Sequence, residues 1–251
     1  METLRGWDRG EHTAYERGMP CTHPTYRKGD GPGVIVIHEM PGLTRGVVRF
    51  AEEVVAAGYT VVLPHLFGPV DVDFSFGKVA KALPRICVRR EFTKLRTGVT
   101  TPVAGWLQSL ARTLHDELGG PGVGALGMCF TGGFALAMML DAPVAAPVVC
   151  QPSAPFPFGQ ARAADVNLAP ADLAIIAGQC AAGARVLGVR YSSDRATGTR
   201  FETLSQALGE AFLRVELPGE GHSTVAEQRS QVAVDAILDF FAGRLRVAPT
   251  A

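Results

Sequence analysis

The chain has no apolar run approaching the ~18 residues that a membrane span needs, so no membrane-spanning role is expected. Residues 1–18 are polar and hold no apolar signal-peptide core. Net charge is missing as well. Basic and acidic residues number 24 each, which removes the electrostatic footprint of a nucleic-acid or anionic-membrane partner. Paired-cysteine spacing is absent. Cys21, Cys87, Cys129, Cys150 and Cys180 are odd in number, and none forms C-x-x-C. That pattern argues against a disulfide framework and for a reducing, cytoplasmic compartment, in which a free thiol persists. A zinc motif also fails. His38-Glu39 could open H-E-x-x-H, but Gly42 stands where the second histidine belongs. His12, His23, His65 and His115 have no ligand spacing. No metal and no cofactor is expected. Without repeats or a low-complexity linker, residues 1–251 are expected to form a single domain.

What is present is a globular composition, 47% hydrophobic and 19% charged. Gly33 to His38 contains the continuous run Val34-Ile35-Val36-Ile37, expected of a strand covered on both faces. Val47 to Ala57 has helical spacing and stops at Gly58. Tyr59 to Leu63 is the next strand. This strand–helix–strand unit predicts an α/β fold with parallel strands. Helices are predicted over 102–118, 131–140, 199–208 and 225–245, the last with Val232, Ala236, Ile237, Phe240 and Phe241 facing the core. Strands are predicted over 144–149, 184–191 and 211–217. One or two short edge strands are expected in the first ~30 residues. Residues 65–101 read as irregular, with helical stretches near 79–83 and 91–95 and the question of a lid left open.

The run Val123 to Gly133 carries the chemistry. It reads as a buried strand, a sharp turn with Cys129 at its tip, and a helix directly behind. Gly127, Gly132 and Gly133 permit the tight turn and a close helix. This is the form of a nucleophile elbow, G-x-S-x-G, with Cys in place of Ser and Thr131 in place of the last Gly. A buried structural cysteine before a Gly-rich turn would read the same way. The context favours the elbow, because an acid and a histidine should follow in that order. Asp194 lies just past the strand 184–191, and His222 lies in the loop after the strand 211–217. Asp194 could otherwise be an ordinary turn residue, and His222 an ordinary loop histidine. In this architecture the oxyanion amides are those of the residue after the nucleophile and of a loop after an earlier strand. Those residues are Phe130 and Met40.

Cys129 in the elbow, Asp194, His222 in Gly-His-Ser, Glu39 in His-Glu-x-x-Gly, Ala57-Gly58-Tyr59 and Val62-Leu63-Pro64 resemble the dienelactone hydrolase family, from about Gly33 to Ala242. The resemblance implies an α/β-hydrolase fold, with a mostly parallel central sheet and helices on both faces. It implies a small ester or lactone as substrate. It also implies that Glu39 turns toward Cys129 and helps form the thiolate as substrate binds. The family's arginine four residues after the histidine is replaced by Ala226. Arg89 and Arg90 are candidates for holding a substrate carboxylate, though a solvated charged face would look alike. Phe67, Phe74, Phe76, Phe156 and Phe158 suggest an apolar pocket, with Phe67 and Phe156 as substrate-binding candidates.

A Cys-elbow amidotransferase would place His directly after Cys, or Glu two residues beyond a later His. Phe130 and Thr224 occupy those positions. A non-catalytic small-molecule-binding protein on a hydrolase scaffold is the alternative from a different class.

Overall fold

The structure is a computed structural model that describes residues 2–16, 19–81 and 97–246. Ten strands occur among them: β1 (Asp8–Glu16), β2 (Met19–Lys28), β3 (Gly33–Ile37), β4 (Leu43–Thr44), β5 (Thr60–Pro64), β6 (Val70–Val72), β7 (Val123–Met128), β8 (Val144–Cys150), β9 (Val186–Tyr191) and β10 (Phe212–Leu217). Eight form one sheet in the order β1-β2-β5-β3-β7-β8-β9-β10. Strands β5, β3, β7, β8, β9 and β10 run parallel, and β1 and β2 add an antiparallel edge. The expected mostly parallel sheet is what the chain builds.

The central strands explain themselves. Every residue of β3, β5 and β7 is buried, which requires apolar side chains at odd and even positions alike. Val34, Val36, Leu126 and Met128 pack with helix α1 (Arg45–Ala56) and the terminal helix α7 (Gln231–Leu245). Ile35, Ile37 and Ala125 point the other way, into a core with helix α2 (Val103–Leu118). Successive side chains of a strand face opposite sides, so one apolar run feeds both cores. Helix α1 starts at Thr44, whose Oγ1 accepts from the Val47 amide at 3.3 Å and satisfies one of the helix's unpaired donors.

Several elements differ from expectation. The N-terminal strands are long, 9 and 10 residues, not short. Pro20 and Pro24 obscured β2, since proline is depleted in paired strands. Pro20 sits where β2 pairs along β1 alone, and Pro24 just before the β5 register begins at Thr25, its carbonyl accepting from the His65 amide at 2.9 Å. The helix expected over 131–140 is a 3-10 turn, Cys129–Thr131, followed by α3 (Phe134–Met138). Helix α5 (Pro170–Ala181) follows the short α4 (Gln160–Ala164) and was not expected. It buries only Ile176 and Cys180, too few positions for a clear stripe. The terminal helix begins at Gln231 rather than 225, and Val232 is exposed. Val225 and Ala226 are buried in the turn before it. Residues 76–81 are helical. The stretch expected near 91–95 lies outside the described residues.

Because β3, β7, β8, β9 and β10 are parallel, the loops after them open at one edge of the sheet. This is where open α/β sheets place their ligands. A tight point there is Gly127, where a Cβ would stand 2.2 Å from the Thr131 carbonyl oxygen. Gly127→Ala must push the turn apart. The expected cost is about 1–3 kcal/mol, seen as a melting temperature lower by roughly 2–4 °C per kcal/mol. An unchanged melting temperature would show that the turn yields freely.

Candidate active site

Cys129 follows β7 directly, with φ of +54°, in the left-handed region. For a residue with a side chain this costs on the order of 1–3 kcal/mol and persists only when surroundings enforce it. Three contacts enforce it. Thr131 Oγ1 accepts from the Met128 amide at 3.1 Å and reaches the carbonyls of Ile37 and His38 at 3.1 and 3.2 Å. Thr131 therefore ties the elbow to the end of β3, a task glycine cannot perform. Gly132 lets the turn pack on the loop after β8, since a Cβ there would meet Pro152 Cα at 2.7 Å. The Ser153 amide then donates to the Cys129 carbonyl at 2.9 Å.

The loops after β9 and β10 bring Asp194 and His222 together. His222 Nδ1 donates to Asp194 Oδ2 at 2.9 Å. Asp194 is held in turn by the Ala196 amide at 2.9 Å and the Thr197 hydroxyl at 2.6 Å. Burial pushes the Asp194 carboxyl up, but these hydrogen bonds and the His222 charge outweigh it and hold the pKa low. Burial likewise opposes charge on His222. The Cys129 sulfur, by charge and hydrogen bond, and Asp194 overcome it and raise the imidazole well above its ordinary value. The imidazole keeps 30% exposure.

Glu39, in the loop after β3, is buried. Its Oε1 accepts from the Ser223 hydroxyl at 2.6 Å, and its Oε2 from Gln151 Nε2 at 3.4 Å. Gln151 in turn accepts from the Thr224 hydroxyl at 2.6 Å. Burial raises the Glu39 pKa, Ser223 and His222 oppose the rise, and nearby Glu227 adds to it. The preceding His38 is neutral at working pH. Burial first, then the neighbouring His65, lowers its pKa to about 3. Its Nε2 accepts from the Leu66 amide at 3.2 Å, so Nδ1 carries the proton toward the Glu39 carbonyl, 3.0 Å away.

Cys129, His222, Glu39 and Met40 line one cavity of about 230 Å³ with Phe74, Phe76, Val79, Ser153 and Phe156. Phe130 is buried beside it, its ring edge-on to Phe67. Phe67 itself packs behind the cavity against His38 and Phe130 rather than facing a ligand. Phe158 is exposed. Ala226 is buried, with its carbonyl bound by Arg49. Arg89 and Arg90 lie outside the described residues. Among the described residues, no group of three or more His, Cys, Asp or Glu is arranged to hold a metal ion, and no helix is long and apolar enough to cross a membrane.

The model of the dienelactone hydrolase family matches residues 21–170. The chain belongs to that family. Membership makes it a hydrolase of the ester and lactone class. No curated protein matches its sequence. Solved structures match it in fold. A dienelactone hydrolase from Anabaena variabilis is 16% identical, with 96% of this chain and 100% of that one covered and a TM-score of 0.61. A dienelactone hydrolase-like promiscuous phosphotriesterase from metagenomic libraries is 16% identical, with the same coverages and a TM-score of 0.61. A cold-adapted esterase from an Arctic intertidal metagenomic library is 15% identical, covering 96% of each chain, with a TM-score of 0.58. The fold is thus that of the α/β hydrolases.

Within this family frame, sequence reasoning passed over Gln151, Ser153, Ser223 and Arg200. The first two sit in the stretch 151–158, whose prolines and phenylalanines give no sign of a polar role. Arg200 begins helix α6 (Arg200–Leu208) and is fully buried. Its guanidinium donates to the carbonyls of Asp165 at 2.6 Å, Ala196 at 3.2 Å, Thr197 at 2.9 Å and Arg162 at 2.8 Å, and to that of Pro155. Burial lowers its pKa to about 10, with Asp165, Asp194 and Cys129 opposing, so it stays charged at neutral pH. It fastens the Asp194 loop to the cavity wall at Pro155. A helix-start arginine gives no signal of this in sequence.

The His222–Asp194 pair sets a pH dependence of stability. The folded-state pKa of His222 is raised, so its contribution is complete below the unfolded value of about 6.5. It is lost as pH rises through the folded-state value. Asp194→Asn removes part of that contribution. The stability gap between the wild type and Asp194→Asn in urea unfolding is expected to be larger at pH 6 than at pH 9. A gap that widens with pH would contradict the pairing.

Proposed function

We propose that this family member is a cysteine-dependent hydrolase of small esters or lactones, with Cys129 as nucleophile, His222 as base and Asp194 as the group that orients it. The observation that carries the proposal is that His222, held by Asp194 at 2.9 Å, and Cys129 line one largely apolar cavity. The thiolate is the reactive form of cysteine, and the raised basicity of His222 favours proton transfer to it. Asp194 stabilises the imidazolium so formed.

The chemistry proceeds in two halves. The Cys129 sulfur attacks the carbonyl carbon, an S–C bond forms, and the carbonyl electron pair moves to oxygen. The backbone amides of Met40 and Phe130 are proposed to receive that oxyanion. Collapse breaks the C–O bond, and the leaving alkoxide takes the proton from His222. Water, deprotonated by His222, then attacks the thioester and releases the acid and Cys129. Glu39 shares the cavity with Cys129, and burial raises its pKa, so it holds a proton more readily than an exposed carboxyl. The family resemblance supports a role for it in forming the thiolate. In this structure its carboxyl is engaged by Ser223 and Gln151, so that role requires a turn of the side chain.

Cys129→Ala is expected to abolish hydrolysis of a short p-nitrophenyl ester, whereas Cys21→Ala and Cys180→Ala retain it. Retained turnover in Cys129→Ala would overturn the mechanism, and absence of turnover in the wild type would favour a scaffold that only binds. Substrate charge follows from the cavity. Phe74, Phe76, Val79 and Phe156 give it apolar walls, and Glu39 and Glu227 line it as well. Neutral lactones are therefore expected to be hydrolysed at least as well as carboxylate-bearing ones. Losing a charge-assisted hydrogen bond removes roughly 1.5–3 kcal/mol, about tenfold or more in kcat/KM. The measurement is kcat/KM for a lactone carboxylate and its methyl ester. A preference of about a hundredfold for the carboxylate would reject the idea. Its loss in Arg89→Ala or Arg90→Ala would place the anion site there.

A further inference from the structure

Ser153 follows β8 and is buried, with 2% exposure. Its hydroxyl oxygen lies 3.3 Å from the Cys129 sulfur, a normal hydrogen-bond distance for so large an atom. The contact is not loose. The Ser153 amide donates to the Cys129 carbonyl at 2.9 Å, so the backbone of one residue is fixed to that of the other. The approach depends on Gly132, where any side chain would strike Pro152. Ser153 and Cys129 also face the same cavity.

We infer that Ser153 is a further catalytic residue of the proposed reaction, its hydroxyl donating a hydrogen bond to the Cys129 sulfur whenever that sulfur is a thiolate. In the resting thiol form, either group can donate to the other. Once the sulfur has passed its proton to His222 it can only accept, and the hydroxyl rotates to donate. Hydrogen bonds to an ionised acceptor are roughly twice as strong as neutral ones. The bond therefore strengthens on ionisation and weakens when the sulfur becomes an uncharged thioester. It assists thiolate formation in the first half-reaction and thiolate departure in the second. Ser153 thus offers the sulfur a donor from a loop other than that of His222.

This inference rests on the reading of Cys129 as nucleophile, but its test needs no ester. The probe is iodoacetamide, with alkylation of the Cys129 peptide followed by mass spectrometry across pH 4–10 in wild type and Ser153→Ala. The pH of half-maximal alkylation is expected to rise by about one unit, the tenfold effect of one lost charge-assisted hydrogen bond. The plateau rate at high pH is expected to rise about threefold, because a less stabilised thiolate is the better nucleophile. A purely structural role would lower both limbs together. Superimposable profiles, or a plateau lowered without a shift, would overturn the inference. If the shift appears while no ester is hydrolysed by the wild type, the hydrolase reading fails and the role of Ser153 at the sulfur stands.

Discussion

The left-handed backbone of Cys129 is the constraint on which the site depends. Without it the strand β7 would run on, and Cys129 would continue the strand's alternation on the side of Ala125. A residue with a Cβ does not adopt this conformation unaided. It is imposed from three sides, by the Thr131 hydroxyl bridging to the end of β3, by Pro152 against Gly132, and by the Ser153 amide on the Cys129 carbonyl. Each of these contacts also positions another part of the site. The Thr131 bridge sets the loop that carries Glu39 and Met40, and the Pro152 contact sets Ser153.

Around this turn, the buried polar groups are paired across loops. Glu39, Ser223, Gln151 and Thr224 join the loops after β3, β8 and β10 through hydrogen bonds alone. Arg200 joins the Asp194 loop to residues 155–165 with its guanidinium, whose donors are met by carbonyl oxygens. Burying a cation this way is tolerable because its donors are matched. His38 does the same work without charge, since burial keeps it neutral and its two nitrogens take opposite roles. Of these groups, Glu39 and Ser223 reach the cavity, where they stand beside Cys129 and His222.

Much of this was legible in the chain itself. The unbroken apolar runs of β3, β5 and β7 signal strands buried on both faces, and Gly127-Met128-Cys129 signals a sharp turn. The order of Cys129, Asp194 and His222 follows from the order of parallel strands. Other elements left no readable trace. Helix α5 has few buried positions, so its periodicity is weak. β2 carries prolines at and beyond the place where its pairing with β5 ends, a place set by the fold and not by residue type. Phe67 and Phe156 looked alike as apolar loop residues. One fills the space behind the His38 loop while the other faces the cavity, a difference set by loop path and not by residue type.

The sequence by itself determined the α/β layering, the strands that form the sheet centre and the residue types brought to its one open edge. It did so because burial on two faces and turn geometry are local demands, met by neighbouring residues. The tertiary structure alone decided which groups touch. Ser153 lies 24 residues from Cys129, Ser223 184 from Glu39 and Glu227 183 from Thr44. Separations of that length carry no periodicity. The pairing of their side chains is settled only when parallel strands bring their loops to the same edge.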